Sequence, residues 1–141
     1  MVDEFETQEV KTEMMYSQPF GAYKKLKTAT MEAIRLSYLR FLLPNGGNIE
    51  IPIKSSILLG RQNGNENVVD LDLSDFGSDS GVSRNHACIR ISRSGVFVRD
   101  LGSRNGVFVN GEELLSMRDY PIQDGDELKL GKLKVRVIFM L

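Results

Sequence analysis

From Ser37 onward the chain is a succession of short apolar runs broken by polar residues: "SYLRFLLP", "NIEIPI", "SILLGR", "VVDLDLS", "ACIRIS", "VFVRD", "GVFVN", "DELKL" and "LKVRVIFML". Many of them alternate apolar and polar positions. Successive side chains on a strand point to opposite faces, so each run predicts a strand with one buried face. Turn residues separate the runs at Asn45-Gly46-Gly47, Ser94-Gly95, Asn110-Gly111, Asp124-Gly125 and Gly131. Asn-Gly and Ser-Gly adopt positive φ at low cost, which predicts hairpins. About nine to eleven strands without a helix-length amphipathic segment between them predict an all-β, antiparallel fold. Two sheets packed face to face bury the alternating apolar faces, so the expected architecture is a β-sandwich whose last strand runs to Leu141. One stretch, Gln62 to Gly81 ("QNGNENVVDLDLSDFGSDSG"), reads as a long polar loop.

Residues 1–36 have a different texture. Acids (Asp3, Glu4, Glu6, Glu9, Glu13) mix with Lys24, Lys25 and Lys27, and no alternation is present. "TATMEAIRL" from Thr28 is enough for a short helical turn. The expected organisation is a flexible N-terminal arm, 1–36, and a sandwich domain, 37–141. A chain of 141 residues is large enough to bury a core without disulfides or a metal. The single cysteine, Cys88, excludes an internal disulfide framework. The start, "MVDEFETQEV", lacks the basic-then-apolar layout of a secretory signal, and no apolar run reaches membrane-spanning length. A cytoplasmic protein is the expectation. The net charge of −1 argues against nucleic acid or an anionic membrane as partner. An anion site in such a chain has to be a local cluster of cations.

One such cluster is legible. The tripeptide Ser-Arg-Asn occurs twice, at 83–85 and 103–105, each time where a loop meets an apolar run. If "ACIRIS" and "VFVRD" form a hairpin across "RSG", the two copies lie at the same end of the sandwich on neighbouring loops. Arg61, after Gly60 at the end of "SILLGR", is a third loop-edge cation. Together these residues predict a pocket of guanidinium forks, a hydroxyl, amides and loop N–H groups that suits a phosphate. An Asn side chain, both donor and acceptor, fits a neighbouring peptide backbone better than a phosphate.

Gly60-Arg61, "VSRNHA" at 82–87, "DLGSRNGVFVNG" at 100–111 and "DGDELKLG" at 124–131, in this order, resemble a forkhead-associated (FHA) domain over roughly Ser37 to Leu141. That family is an eleven-stranded β-sandwich that binds phosphothreonine peptides through loops at one end. The resemblance implies that Arg61 and Ser83 grip the phosphate, that Arg84 is a further phosphate contact, and that Asn105 holds the peptide main chain. Gly60, His86, Gly106, Asn110 and Gly111 match positions that shape loops. Arg104, counted in the phosphopeptide-binding set, stands where a small hydroxyl residue is common in the family, and either adds a cation for the phosphate or fills space meant for the peptide. Gly81 falls near the position that reads the third residue after the phosphothreonine, and it offers no side chain. The implied function is phosphothreonine-dependent protein binding downstream of a Ser/Thr kinase, of a kind that fits bacterial signalling, with no catalysis, no cofactor and no metal.

Other readings are weaker. His86, the only histidine, has no companion arrangement that makes a nucleophile–base pair, and a structural role is expected for it. Cys88 is expected to be a packed strand residue. "DLDLSDFGSDSG" has calcium-loop acids, but Gly81 stands where a bidentate Glu belongs. "RSGVFVRD" lacks the aromatics of an RNA-binding octapeptide, and "GRQNGNENVV" has no Gly-Lys-Ser/Thr. Thr7, among acids in "DEFETQEV", is a candidate phosphosite, and the arm is then a candidate ligand for its own domain at high effective concentration. The rival from another class is a phosphate-independent assembly scaffold that uses the same sandwich and its arm.

Overall fold

The structure, a computed structural model, describes residues 35–141. The 1–36 arm, but for its last two residues, and the Thr7 site lie outside the described residues. Among the described residues there are eleven strands: β1 (Tyr38–Leu42), β2 (Asn48–Pro52), β3 (Ser56–Gly60), β4 (Leu71–Asp72), β5 (Ala87–Ser92), β6 (Gly95–Asp100), β7 (Val107–Val109), β8 (Glu112–Glu113), β9 (Asp119–Pro121), β10 (Glu127–Leu130) and β11 (Leu133–Met140). They form two sheets, ordered β2-β1-β11-β10-β7-β8 and β4-β3-β5-β6-β9. The expected all-β sandwich is the observed fold.

Alternation sets the register of each strand. In the β5–β6 hairpin Ala87 faces Asp100, Ile89 faces Val98 and Ile91 faces Val96. These residues turn inward, while Cys88, Arg90, Phe97 and Arg99 turn outward. On the other sheet Leu133, Val135, Val137 and Phe139 of β11 meet Leu39 and Phe41 of β1 in one core. Leu39 and Phe41 are fully buried, worth about 1.5–3 kcal/mol each in transfer free energy. A one-residue slip would turn each of these strands inside out.

The Gln62–Gly81 stretch is more structured than a loop. Leu71 and Leu73 are fully buried, and β4 pairs with β3 in parallel, Leu59 against Leu71 and Gly60 against Asp72. This is the one departure from an otherwise antiparallel set. Two single-turn 3₁₀ helices follow, Ser74–Phe76 and Ser78–Ser80. Two of the aspartates that mimic a calcium loop, Asp70 and Asp72, serve backbone groups instead. Asp70 accepts the Leu58 N–H at 2.8 Å and pairs with Lys54, and Asp72 accepts the N–H groups of Gln62 and Ser74 at 3.0 Å each. Burial pushes both carboxyls up, but these donors outweigh it and hold them below the usual range. Among the described residues no helix is long and apolar enough to cross a membrane.

Candidate functional site

Three loops meet where β3 ends, β5 begins and β6 hands over to β7. Gly60 lets the first two touch. A Cβ there would lie 2.0 Å from the Arg84 carbonyl oxygen and 2.9 Å from that of Ser83. With no side chain in the way, the Arg61 N–H reaches both oxygens at 3.1 Å. Gly81, with φ of +74°, makes a similar close approach, since a Cβ would meet Asn105 Nδ2 at 2.8 Å.

His86 joins the second loop to the third. Its N–H donates to Leu59 O at 3.0 Å and its carbonyl accepts the Leu101 N–H at 3.0 Å. Its Nδ1 accepts the Ser83 N–H at 2.9 Å, and Nε2 meets Gly106 O at 2.8 Å. A backbone N–H only donates, so Nδ1 must carry the lone pair, and Nε2 carries the proton given to Gly106. The ring is therefore neutral. It is fully buried, and burial lowers its pKa against the raising influences of the Gly106 hydrogen bond and the Asp100 charge.

The cleft framed by these loops has a volume of about 440 Å³ and is lined by Arg61, Ser83, Arg84, Arg104 and Asn105, together with Ser78, Gly81 and Val82. The five residues singled out from the sequence as phosphopeptide contacts thus share one concavity. Arg61 Nε donates to Val82 O at 2.6 Å, which fixes the stem and leaves the two terminal nitrogens for a ligand. Ser83 Oγ accepts the Arg104 N–H at 3.3 Å, so its own proton is available to donate outward. Asn105 Nδ2 donates to Gly81 O at 2.9 Å, leaving the amide oxygen and a second N–H. Arg84 approaches Glu66 at 3.7 Å, an exposed pair of little energetic weight. Arg61 and Arg104 are in no ion pair among the described residues.

The remaining motif residues lie outside this lining. Asn110 and Gly111, with φ of +49° and +88°, form the two-residue turn from β7 to β8, the geometry that Asn-Gly favours. The Asn110 side chain donates to Asp126 at 3.0 Å and accepts the Glu127 N–H at 2.9 Å. Gly106, with φ of +83°, turns the chain after Asn105. Among the described residues no group of three or more His, Cys, Asp or Glu side chains could hold a metal ion.

Residues not singled out from the sequence as phosphopeptide contacts brace the cleft. Asn67 Nδ2 lies 3.0 Å from Arg61 O, 3.3 Å from Arg84 O and 3.3 Å from Asn85 Oδ1. Gln62 ties down the Asn67 loop through Gly64 O at 2.8 Å and the Val69 N–H at 3.1 Å. In the third loop Asp100 accepts the Ser103 N–H at 3.0 Å, and Ser103 Oγ accepts the Gly106 N–H at 3.0 Å. Asp100 and Ser103 belong to the quoted "DLGSRNG", but Asn67 sits in a stretch whose only sequence signal is its polarity.

The FHA domain family model matches residues 57–131, more than half of the chain. Protein FraH of Nostoc sp. is 35% identical over 85 residues, covering 60% of this chain and 29% of FraH. The oxoglutarate dehydrogenase inhibitor of Corynebacterium efficiens is 42% identical over 65 residues, covering 46% of this chain and 42% of that protein. The chain thus spans less than half the length of these curated relatives. Among solved structures, one from a study of phosphothreonine-dependent FHA domain interactions is 27% identical with a TM-score of 0.56, covering 72% of this chain and 95% of that one. An FHA domain of Arabidopsis thaliana is 25% identical with a TM-score of 0.63, covering 75% and 88%. The family match takes in every loop that lines the cleft, and the chain belongs to the FHA domain family.

Proposed function

We propose that this protein is a phosphothreonine-dependent binding module, and that the cleft between the 81–86 and 101–106 loops is where the phosphate sits. One observation carries the reading: the guanidiniums of Arg61 and Arg104 and the Ser83 hydroxyl line one concavity, and neither arginine is ion-paired among the described residues. Arg61, anchored through Nε, offers a planar pair of N–H groups to two phosphate oxygens. Ser83 donates its hydroxyl proton to the same group. Arg84 and Arg104 add positive charge at the rim. Asn105 aligns the peptide by hydrogen-bonding its main chain. No step of bond making or breaking is called for, so the protein is read as a binder and not an enzyme. Its relatives support the ligand class, since one solved structure concerns phosphothreonine-dependent FHA interactions and another holds an FHA domain complexed with the intracellular domain of a second protein.

The partner is then a threonine-phosphorylated protein, with a Ser/Thr kinase upstream in the cytoplasm. Thr7, in the acidic "DEFETQEV", is a candidate for that role within the same chain. The test is a fluorescence anisotropy titration with labelled phosphothreonine peptides, among them residues 2–14 phosphorylated on Thr7. Phosphoserine and unphosphorylated forms serve as controls, against wild type and Arg61→Ala. Binding that requires both phosphothreonine and Arg61 is the expected result. Equal affinity with and without phosphate would overturn the reading and leave an assembly scaffold.

A further inference from the structure

Next to the phosphate cleft lies a second hollow of about 640 Å³ lined by Asp100, Ser103, Gly106, Glu113, Leu114, Leu115 and Ser116, with Arg104 and Asn105 lining both. Its chemistry differs from that of the first. Beside Arg104, which lines both, it presents the Glu113 carboxylate and the Leu115 side chain, which is 55% exposed. Glu113 is in no ion pair among the described residues. Its Oε2 lies 3.0 Å from where a Cβ on Gly106 would stand, so the carboxylate rests against the turn that follows Asn105. Asp100 is buried and occupied by the Ser103 N–H. The free acid of this hollow is therefore Glu113.

We propose that this second hollow is a subsite for a basic residue of the bound peptide, with Glu113 pairing the charged head and Leu115 covering the aliphatic stem. The inference rests on the phosphothreonine reading above and deepens it, naming the peptide class as one phosphothreonine plus one Lys or Arg near it. Continuity supplies the reach. A peptide whose main chain is held at Asn105 lies on the wall common to both hollows, within a long side chain's length of each. Charge supplies the choice of occupant. An unpaired carboxylate beside an apolar patch matches a side chain with an apolar stem and a cationic tip, and it repels an acid in the same place. The glycine at 81 offers no side chain to read a neighbouring residue, so selectivity has to come from elsewhere on the rim.

The experiment uses the full chain and a set of labelled phosphothreonine peptides with alanine flanks. Each carries a single Lys or a single Glu at one position from four before to four after the phosphothreonine. Wild type, Glu113→Gln and Glu113→Lys are titrated with the whole set. Glu113 is exposed, so both variants are expected to fold, and thermal melts check it. The expected result is one position where Lys binds roughly tenfold better than Glu in wild type, a preference lost in Glu113→Gln and reversed in Glu113→Lys. Phosphopeptide binding without any preference that depends on residue 113 overturns the subsite and leaves the phosphate reading intact. Absence of binding to every phosphopeptide overturns both.

Discussion

The Nδ1 atom of His86 accepts the Ser83 N–H at 2.9 Å, so the residue that offers its hydroxyl to the cleft is held in place by an imidazole that must stay neutral. Protonation would put a second N–H against the Ser83 N–H. Burial already lowers the His86 pKa below 6.5. As pH falls through that value the unfolded chain takes up a proton before the folded one does, and folding is penalised. The stabilisation is thus complete above about pH 6.5 and declines below it. No other histidine is present. The urea midpoint is expected to drop between pH 7.5 and pH 5.5 in wild type, and to change much less in His86→Gln. The measurement is made without peptide, since phosphate itself titrates near pH 6. A wild-type midpoint that is the same at both values would show that the ring is not held neutral.

Gly60 and Gly102 separate two reasons for a glycine. Gly102 has φ of +76° and open space around it, whereas a Cβ on Gly60 would lie 2.0 Å from Arg84 O. Gly102→Ala meets only backbone strain, about 1–2 kcal/mol. Gly60→Ala has to push the 83–84 loop away from β3. It is expected to cost about 3 kcal/mol or more and to abolish phosphopeptide binding, because Arg61 and Ser83 lose their spacing. Urea unfolding and anisotropy on both variants check this. A Gly60→Ala protein that binds normally would mean the loop tolerates the shift.

What was legible in the sequence was periodicity and motif. The β5–β6 hairpin follows from the alternation of "ACIRIS" and "VFVRD" around Ser94-Gly95, and once its register is set, Ser83 and Asn105 must come to one end. Arg61 was legible because glycine precedes it at the end of an apolar run. The strand in "VVDLDLS" was legible from the same alternation, which buries Leu71 and Leu73, but its parallel pairing with β3 was not, since a two-residue pairing inside a long polar stretch leaves no signal of its partner or direction. Asn67 was hidden for a related reason. Its contacts are to main-chain atoms of Arg61 and Arg84, and an amide that holds backbone carries no motif of its own.

Asn67 supplies a test of bracing without ligand contact. Asn67→Ala removes its bonds to the carbonyls behind Arg61 and Arg84 and to Asn85, and is expected to weaken phosphopeptide binding about tenfold while costing about 1 kcal/mol of stability. Asn110→Ala is the counterpart. It puts alanine at φ of +49° and removes the links to Asp126 and Glu127, so it costs about 1–2 kcal/mol with affinity unchanged. Equal affinity losses in the two variants would show that stability, not loop position, governs binding.

The difference between Arg61 and Arg104 is one of anchoring, and it predicts different responses to lysine. Arg61 spends Nε on Val82 O and has only its terminal fork for the ligand, while the exposed Arg104 side chain makes no ion pair among the described residues. Lysine keeps the charge but has neither the Nε anchor nor the fork. Arg61→Lys is therefore expected to lose most of what Arg61→Ala loses, about 2–5 kcal/mol of phosphopeptide affinity. Arg104→Lys, a change in a screened rim charge, is expected to cost under about 1 kcal/mol. Salt sharpens the contrast. Raising ionic strength screens exposed charges first, so the small advantage of Arg104 over alanine should shrink in added salt while the Arg61 requirement persists. Anisotropy titrations of the four variants at low and high salt measure both effects. Full affinity in Arg61→Lys would mean that charge alone holds the phosphate and that the fork geometry contributes nothing.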